Sequence, residues 1–290
     1  MAGMKQVHRS LRLRESADRA LVLHAMDIDY VLERGLMGWR VLVPEHEEGR
    51  AREQIRLYEL ENQARPAETF VDARPGTLAG IAGWALILLA AYSLQSNYAF
   101  GINWLDLGRV DVAAVRAGEW WRVITALTLH ADVGHLFGNV GFGAVFCALL
   151  VRQIGVGMAW LMILLGGVAG NVMNVMLQQS AHSSIGASTS VFAALGLLAA
   201  YLWTARRLIS DSWARRWTPI VGGIVLLAWL GTGDENTDIV AHLTGFIAGF
   251  VMGTGLGRLA RLDEPDPLRQ FALGGLALAI LIVAWAAAIS

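Results

Sequence analysis

The 290-residue sequence has one cysteine, Cys147, only six prolines, and 16% charged residues, where an ordinary soluble chain carries roughly a quarter. A lone cysteine excludes an intramolecular disulfide and a thiolate-built zinc cluster. Its apolar surroundings make it a small buried side chain. The charges nearly cancel, at net −1, so a nucleic-acid partner has no electrostatic support. The first twenty residues, MAGMKQVHRSLRLRESADRA, contain neither an apolar core nor a small-residue cleavage site. No secretory signal peptide is read there, and the N-terminus is expected in the cytoplasm. No His-Glu-x-x-His spacing occurs, which disfavours a metal protease; no metal and no cofactor is expected.

What remains is apolar: 55% of residues are hydrophobic and the mean hydropathy is +0.48, the composition of a multi-spanning membrane protein. The charges are concentrated at one end. Residues 1–75 hold 12 of the 23 Lys and Arg and 13 of the 24 Asp and Glu, so a polar domain precedes a membrane domain. Within 1–63, residues 17–25 suit a short helix. Alternation around Ile28 to Leu32 and Trp39 to Val43 reads as a hairpin turning at Gly35 to Gly38, and residues 47–63 run helical with Ala51, Ile55 and Tyr58 on one face. This predicts a small α+β cytoplasmic domain, which resembles the short signal-transducing domains found in bacteria. Residues 64–76, with two prolines, are the expected linker.

From Pro75 onward the charge-free intervals accommodate seven spans of about 20 residues, near 77–95, 134–151, 156–177, 186–204, 217–232, 239–257 and 270–289. With the N-terminus inside, the cytoplasmic loops carry eight arginines and the outer loops three, Arg109, Arg116 and Arg122. The positive-inside rule then places the C-terminus outside. The segment between the first two spans is rich in tryptophan and is expected in the membrane interface, with Trp104, Trp120 and Trp121 in an aromatic belt.

Polar residues inside spans cost free energy unless they pair or face a cavity. His130, His135 and Asn139 stand at the start of span 2, Ser188 and Ser190 at the start of span 4, and His242 at the start of span 6. All three spans run from outside to inside, so these groups share one depth. A serine, a histidine and amide donors at one depth are the inventory of a serine hydrolase. Ser188 follows Gly186 in the first turn of its helix, where free N–H groups and the helix dipole favour negative charge. Its alternative reading is a cap or a small packing residue. His242 precedes Gly245, Gly249 and Gly253, a stripe at spacing four that permits close helix approach, with Gly186, Ser190 and Ala194 as the expected opposing face. Ser190 lies on the far side of the helix from Ser188. His135 and Asn139 share one face and can donate to an oxyanion, or alternatively hold span 2 in place. Asp238 reads as the cap of span 6. His130 is read as structural, and His182 matches no motif.

TrpTrpArg at 120–122, HisAlaAspValGlyHisLeuPheGlyAsn at 130–139, GlyAlaSerThrSer at 186–190 and AlaHisLeuThrGly at 241–245, in that order, resemble the signatures of rhomboid intramembrane serine proteases over residues 77–260. The resemblance implies an all-α polytopic fold, a six-helix core in 77–260 with a seventh C-terminal span in 261–290. It further implies a Ser188 and His242 dyad without a catalytic carboxylate, an oxyanion site at His135 and Asn139, and supporting roles for Phe192, Gly186, Gly245, Gly249, Trp121 and Arg122. Phe192 would stack on His242, or serve simply as a core aromatic. Transmembrane proteins are the implied substrates, membrane lipid the surroundings and the bacterial cell membrane the location; no oligomeric state follows. Thr189 departs from the family, which usually has glycine there. It motivates the rival expectation of an inactive relative that binds or escorts membrane proteins. GlyThrGlyAsp at 231–234 resembles an aspartyl intramembrane protease motif, but no second carboxylate stands at bilayer depth. A channel or transporter is disfavoured by the lack of intramembrane charges.

Overall fold

The computed structural model describes residues 3–35, 38–61, 76–206, 213–230, 238–259 and 266–290. The chain divides into two compact units, residues 1–72 and 73–290. The linker expected at 64–76 lies, apart from Gly76, outside the described residues.

In the first unit, β1 (Met4–Ser10), α1 (Leu13–Ala25), β2 (Val31–Gly35), β3 (Gly38–Pro44) and α2 (Glu48–Glu61) follow one another. The sheet has the order β1-β3-β2 and is antiparallel throughout. The alternate residues Val41 and Val43 of β3 meet Ala20 and Leu23 of α1 and Ala51 and Ile55 of α2 in one small core. The hairpin and both helices appear where the alternation and periodicity put them. Strand β1 went unread.

The second unit is a bundle of long helices, the architecture of a polytopic helical membrane protein. Helix α3 (Thr77–Ser96) is followed by three short helices, α4 (Trp104–Gly108), α5 (Val112–Arg116) and α6 (Arg122–Thr125), with the two-residue β4 (Val110–Asp111) between the first two. Then come α7 (Val133–Ile154), α8 (Val156–Leu177), β5 (Ser183–Ser184), α9 (Ser188–Arg206), α10 (Trp213–Leu230), α11 (Ile239–Leu259) and α12 (Pro267–Ile289). Each expected span has its helix. Among the described residues, α3, α7, α8, α11 and α12 are long and apolar enough to cross a membrane, while α9 and α10 contain shorter apolar stretches.

Helix α9 is the axis of the bundle. Every residue from Val191 to Ala200 is buried, as befits a helix apolar all round, and it packs against α7, α8, α10 and α11. Its contact with α11 is made by backbone. A methyl on Gly245, Gly249 or Gly253 would overlap the carbonyl oxygens of Thr189, Ala193 and Leu197 respectively. The opposing face is therefore Thr189, Ala193 and Leu197, not the expected Gly186, Ser190 and Ala194. The rotation of α9 explains the difference: Ser190 packs instead onto Gly167 of α8.

The segment between α3 and α7 is a folded brace. Arg122, 9% exposed, donates to Glu119 Oε2 at 2.6 Å and to the carbonyls of Asp106 and Arg109 at 2.8 and 3.0 Å. Trp104 is buried against Trp285 of α12, with ring centroids 5.1 Å apart, and Trp285 donates to Thr128 Oγ1. Trp104 is thus a core residue rather than part of an aromatic belt, whereas Trp120 is exposed and Trp121 half-buried.

Candidate active site

Three helices, α7, α9 and α11, begin around one cavity of about 770 Å³ whose walls include Ser188, His242, His135, Asn139, Gly186 and Phe192. Helix α9 starts at Ser188 itself, because Gly186 holds φ at +129°, a backbone conformation that only glycine adopts without strain. The same glycine is required for space. A methyl on it would lie 2.8 Å from His135 Nε2 and 3.4 Å from Ser188 Oγ, so these two side chains flank a single bare Cα. The Gly186 N–H donates to the Ala126 carbonyl at 3.0 Å, which pins the turn before the serine to the segment after α6.

His242 lies in the first turn of α11 and is 8% exposed. Its ring lies on that of Phe192, one turn along α9 from Ser188, with centroids 4.4 Å apart and an interplanar angle of 34°. The glycine-lined contact between α9 and α11 brings the two helices together just below both residues, at Thr189, which follows Ser188 directly, and Gly245, about one turn beyond His242. A general base works only within hydrogen-bond reach of its hydroxyl, and backbone-to-backbone packing is what permits such an approach. Thr189 is 3% exposed, and its Cγ2 faces Gly170 of α8 and Gly245 of α11.

On α7, Asp132 caps the helix by accepting from the His135 N–H at 2.9 Å. Asn139 is buried and its Nδ2 donates to the His135 carbonyl at 3.1 Å. An amide nitrogen carries two hydrogens, so one remains for another acceptor. His130 stands just before the helix, its backbone clamped by Gln95 through bonds of 2.6 and 3.1 Å. Its ring is fully buried 5.2 Å from that of His135, and neither ring nitrogen has a partner among the described residues. Burial, with the neighbouring His135, pushes its pKa down to about 4.

Of the sequence-predicted residues, Ser188, His242, His135, Asn139, Gly186 and Phe192 meet at the cavity. Gly245 and Gly249 lie below it in the helix contact, and Trp121 and Arg122 belong to the brace. Three further wall residues are Asn171, Asp238 and His182, of which Asp238 was expected as the cap of α11, His182 had no assigned motif, and Asn171 was not singled out. Asn171 of α8 donates to the Val123 carbonyl at 2.9 Å, and Asp238, which caps α11 through the Ala241 N–H, pairs with His182 at 2.8 Å. Asn171 and Asn174, polar residues three apart in an apolar helix, were the available signal. Among the described residues no cluster of His, Cys, Asp or Glu is suited to a metal ion.

Residues 117–259 match the family model of the Rhomboid domain. The rhomboid-type protein YdcA of Bacillus subtilis is 27% identical over 198 residues, covering 68% of this chain and 88% of that one. The rhomboid protease GluP of the same organism is 29% identical over 151 residues, 52% of this chain and 29% of GluP. Rhomboid-like protease 3 of Toxoplasma gondii is 28% identical over 146 residues, 50% of this chain and 55% of that protein.

Proposed function

From the membership of residues 117–259 in the rhomboid family of intramembrane proteases, we propose that this protein is a serine endopeptidase that cleaves transmembrane proteins through Ser188 and His242. The observation that carries this reading is the meeting of both residues at one cavity, each in the first turn of its helix, with Phe192 against the histidine ring. His242 takes the Ser188 proton as Oγ bonds to the scissile carbonyl carbon, then delivers it to the leaving amine nitrogen. A water then attacks the acyl-enzyme with His242 again as base, which frees the serine. The oxyanion forms at the N-terminus of α9, where the first N–H groups have no intrahelical acceptor. His135, beside Gly186, and Asn139 stand ready as side-chain donors there. Arginine asymmetry supports cleavage near the outer face of the cell membrane, with the N-terminus cytoplasmic and the C-terminus outside.

The rival, an inactive relative that binds or escorts membrane proteins, rests on Thr189. Its methyl faces the α8 and α11 glycines, which leaves the rival without a steric block of its own. Labelling of the purified protein with a fluorophosphonate probe decides between them. Wild type and Ser190→Ala are expected to label, while Ser188→Ala and His242→Ala lose labelling and stay folded, because nucleophile and base act as one unit. Undiminished labelling of Ser188→Ala refutes the assignment, and an inert wild type favours the rival.

A further inference from the structure

Asp238, His182 and Asn174 form a polar cluster for which the dyad chemistry has no task. Asp238 Oδ1 accepts from the Ala241 N–H at 2.9 Å, and Oδ2 accepts from Asn174 Nδ2 and His182 Nε2, both at 2.8 Å. A carboxylate only accepts, so the His182 proton sits on Nε2. Burial alone would raise the Asp238 pKa, but the bonds from Ala241, His182 and Asn174 outweigh it and hold the carboxyl below its ordinary range.

The partners of this one carboxylate belong to three pieces of chain: the end of α8, the segment that leads into Ser188, and the first turn of α11. The segment from His182 to Ser188 is fastened on its other side as well. The His182 carbonyl accepts from the Val112 N–H at 3.1 Å, and β5 pairs with β4. On α11, His242 is one turn beyond Asp238 and donates its N–H to the Asp238 carbonyl at 3.1 Å.

The location of the cluster explains why a tie is needed. Thr189 and Gly245, Ala193 and Gly249, and Leu197 and Gly253 oppose one another at a constant offset in sequence, and His182 and Asp238 stand at that same offset of 56 residues. Helix α9 begins only at Ser188, so on the N-terminal side of Thr189 the backbone contact has no further helix to meet. The hydrogen-bonded side chains continue the register where the helices cannot. We propose that Asp238 and His182 are positioning residues, which fix the segment presenting Ser188 to the helix turn presenting His242. The proposal rests on the dyad reading above.

Fluorophosphonate labelling kinetics of the purified full chain test it, with melting followed in parallel. Asp238→Ser keeps an oxygen to cap Ala241 but does not reach His182 or Asn174, so it separates capping from positioning. Asp238→Ser and His182→Ala are each expected to lower the saturating labelling rate on the order of 10-fold, as expected for a coupled, misplaced pair. The half-saturating probe concentration should stay within about twofold, because the probe's own contacts are untouched. The double variant should lose no more than either alone, and His182→Gln, whose amide still donates to Asp238, should recover to within about twofold of wild type. Wild-type rates for Asp238→Ser, or losses that multiply in the double variant, overturn the positioning role while leaving the dyad intact. A wild type that never labels overturns the dyad and this inference with it. Should Asp238→Ser fail to fold, the contrast between His182→Ala and His182→Gln decides alone.

Discussion

Thr189, beside the proposed nucleophile, is a packing residue whose methyl fills the point where α8, α9 and α11 meet. Thr189→Gly is therefore expected to leave Ser188 reactive and to lower stability by about 1 to 2 kcal/mol, from glycine's poor helix propensity and the gap left behind. Labelling and melting of the two proteins check this, and a glycine variant that reacts where wild type does not would make Thr189 a block. His130 gives the protein a predictable response to acid. An unfolded histidine titrates near 6.5 and the buried one at about 4, so between these values the unfolded state binds more protons. Stability is complete above about pH 6.5, falls as the pH drops toward 4, and levels off below. Melting in detergent from pH 7 to 4 should show this slope, and His130→Gln should flatten it; an unchanged slope removes His130 as its origin. Ser188, His242, His135 and Asn139 were legible in the sequence because each is polar where an apolar helix begins. The bond between His182 and Asp238 was not, since which side chains meet across 56 residues is decided only when α8, α9 and α11 pack.

Among elements, the contact of α9 with α11 sets the tolerance of the fold. Gly249→Ala would drive a methyl into the Ala193 carbonyl, whereas a methyl on Gly255 of the same helix meets nothing within 4 Å. Gly249→Ala should part the helices and lose most fluorophosphonate labelling. Gly255→Ala should keep it and gain up to about 1 kcal/mol from alanine's higher helix propensity. Equal behaviour of the two would remove the backbone contact as the determinant of the site. The stripe itself was readable at spacing four, but its partner face was not. Helix α9 is apolar on every side, and its rotation is settled by Ser190 fitting against Gly167, a contact no periodicity encodes. Strand β1 escaped for a related reason. Its sequence, MKQVHRS, has little apolar alternation, and it becomes a strand by pairing with β3.

At the scale of the whole molecule, the positions of the seven long helices were legible because apolar length is a physical requirement of a span. The eight-to-three arginine asymmetry predicts that reporter fusions at Ser212 and Asn236 fall in opposite compartments, Ser212 inside and Asn236 outside; a shared compartment would contradict the topology. The buried Trp104 was misread as interfacial because its cover, Trp285 of α12, comes from the far end of the chain. The arrangement of helix starts also has an electrical consequence. Each helix carries about half a positive charge at its N-terminus, and three such ends open on the cavity. Two of them are offset by carboxylates, Asp132 on α7 and Asp238 on α11, while α9 has no acidic residue in its first turn. The field in the cavity is therefore uneven, most positive at the α9 end beside Ser188, and it favours negative charge at the serine whichever single side-chain donor is removed.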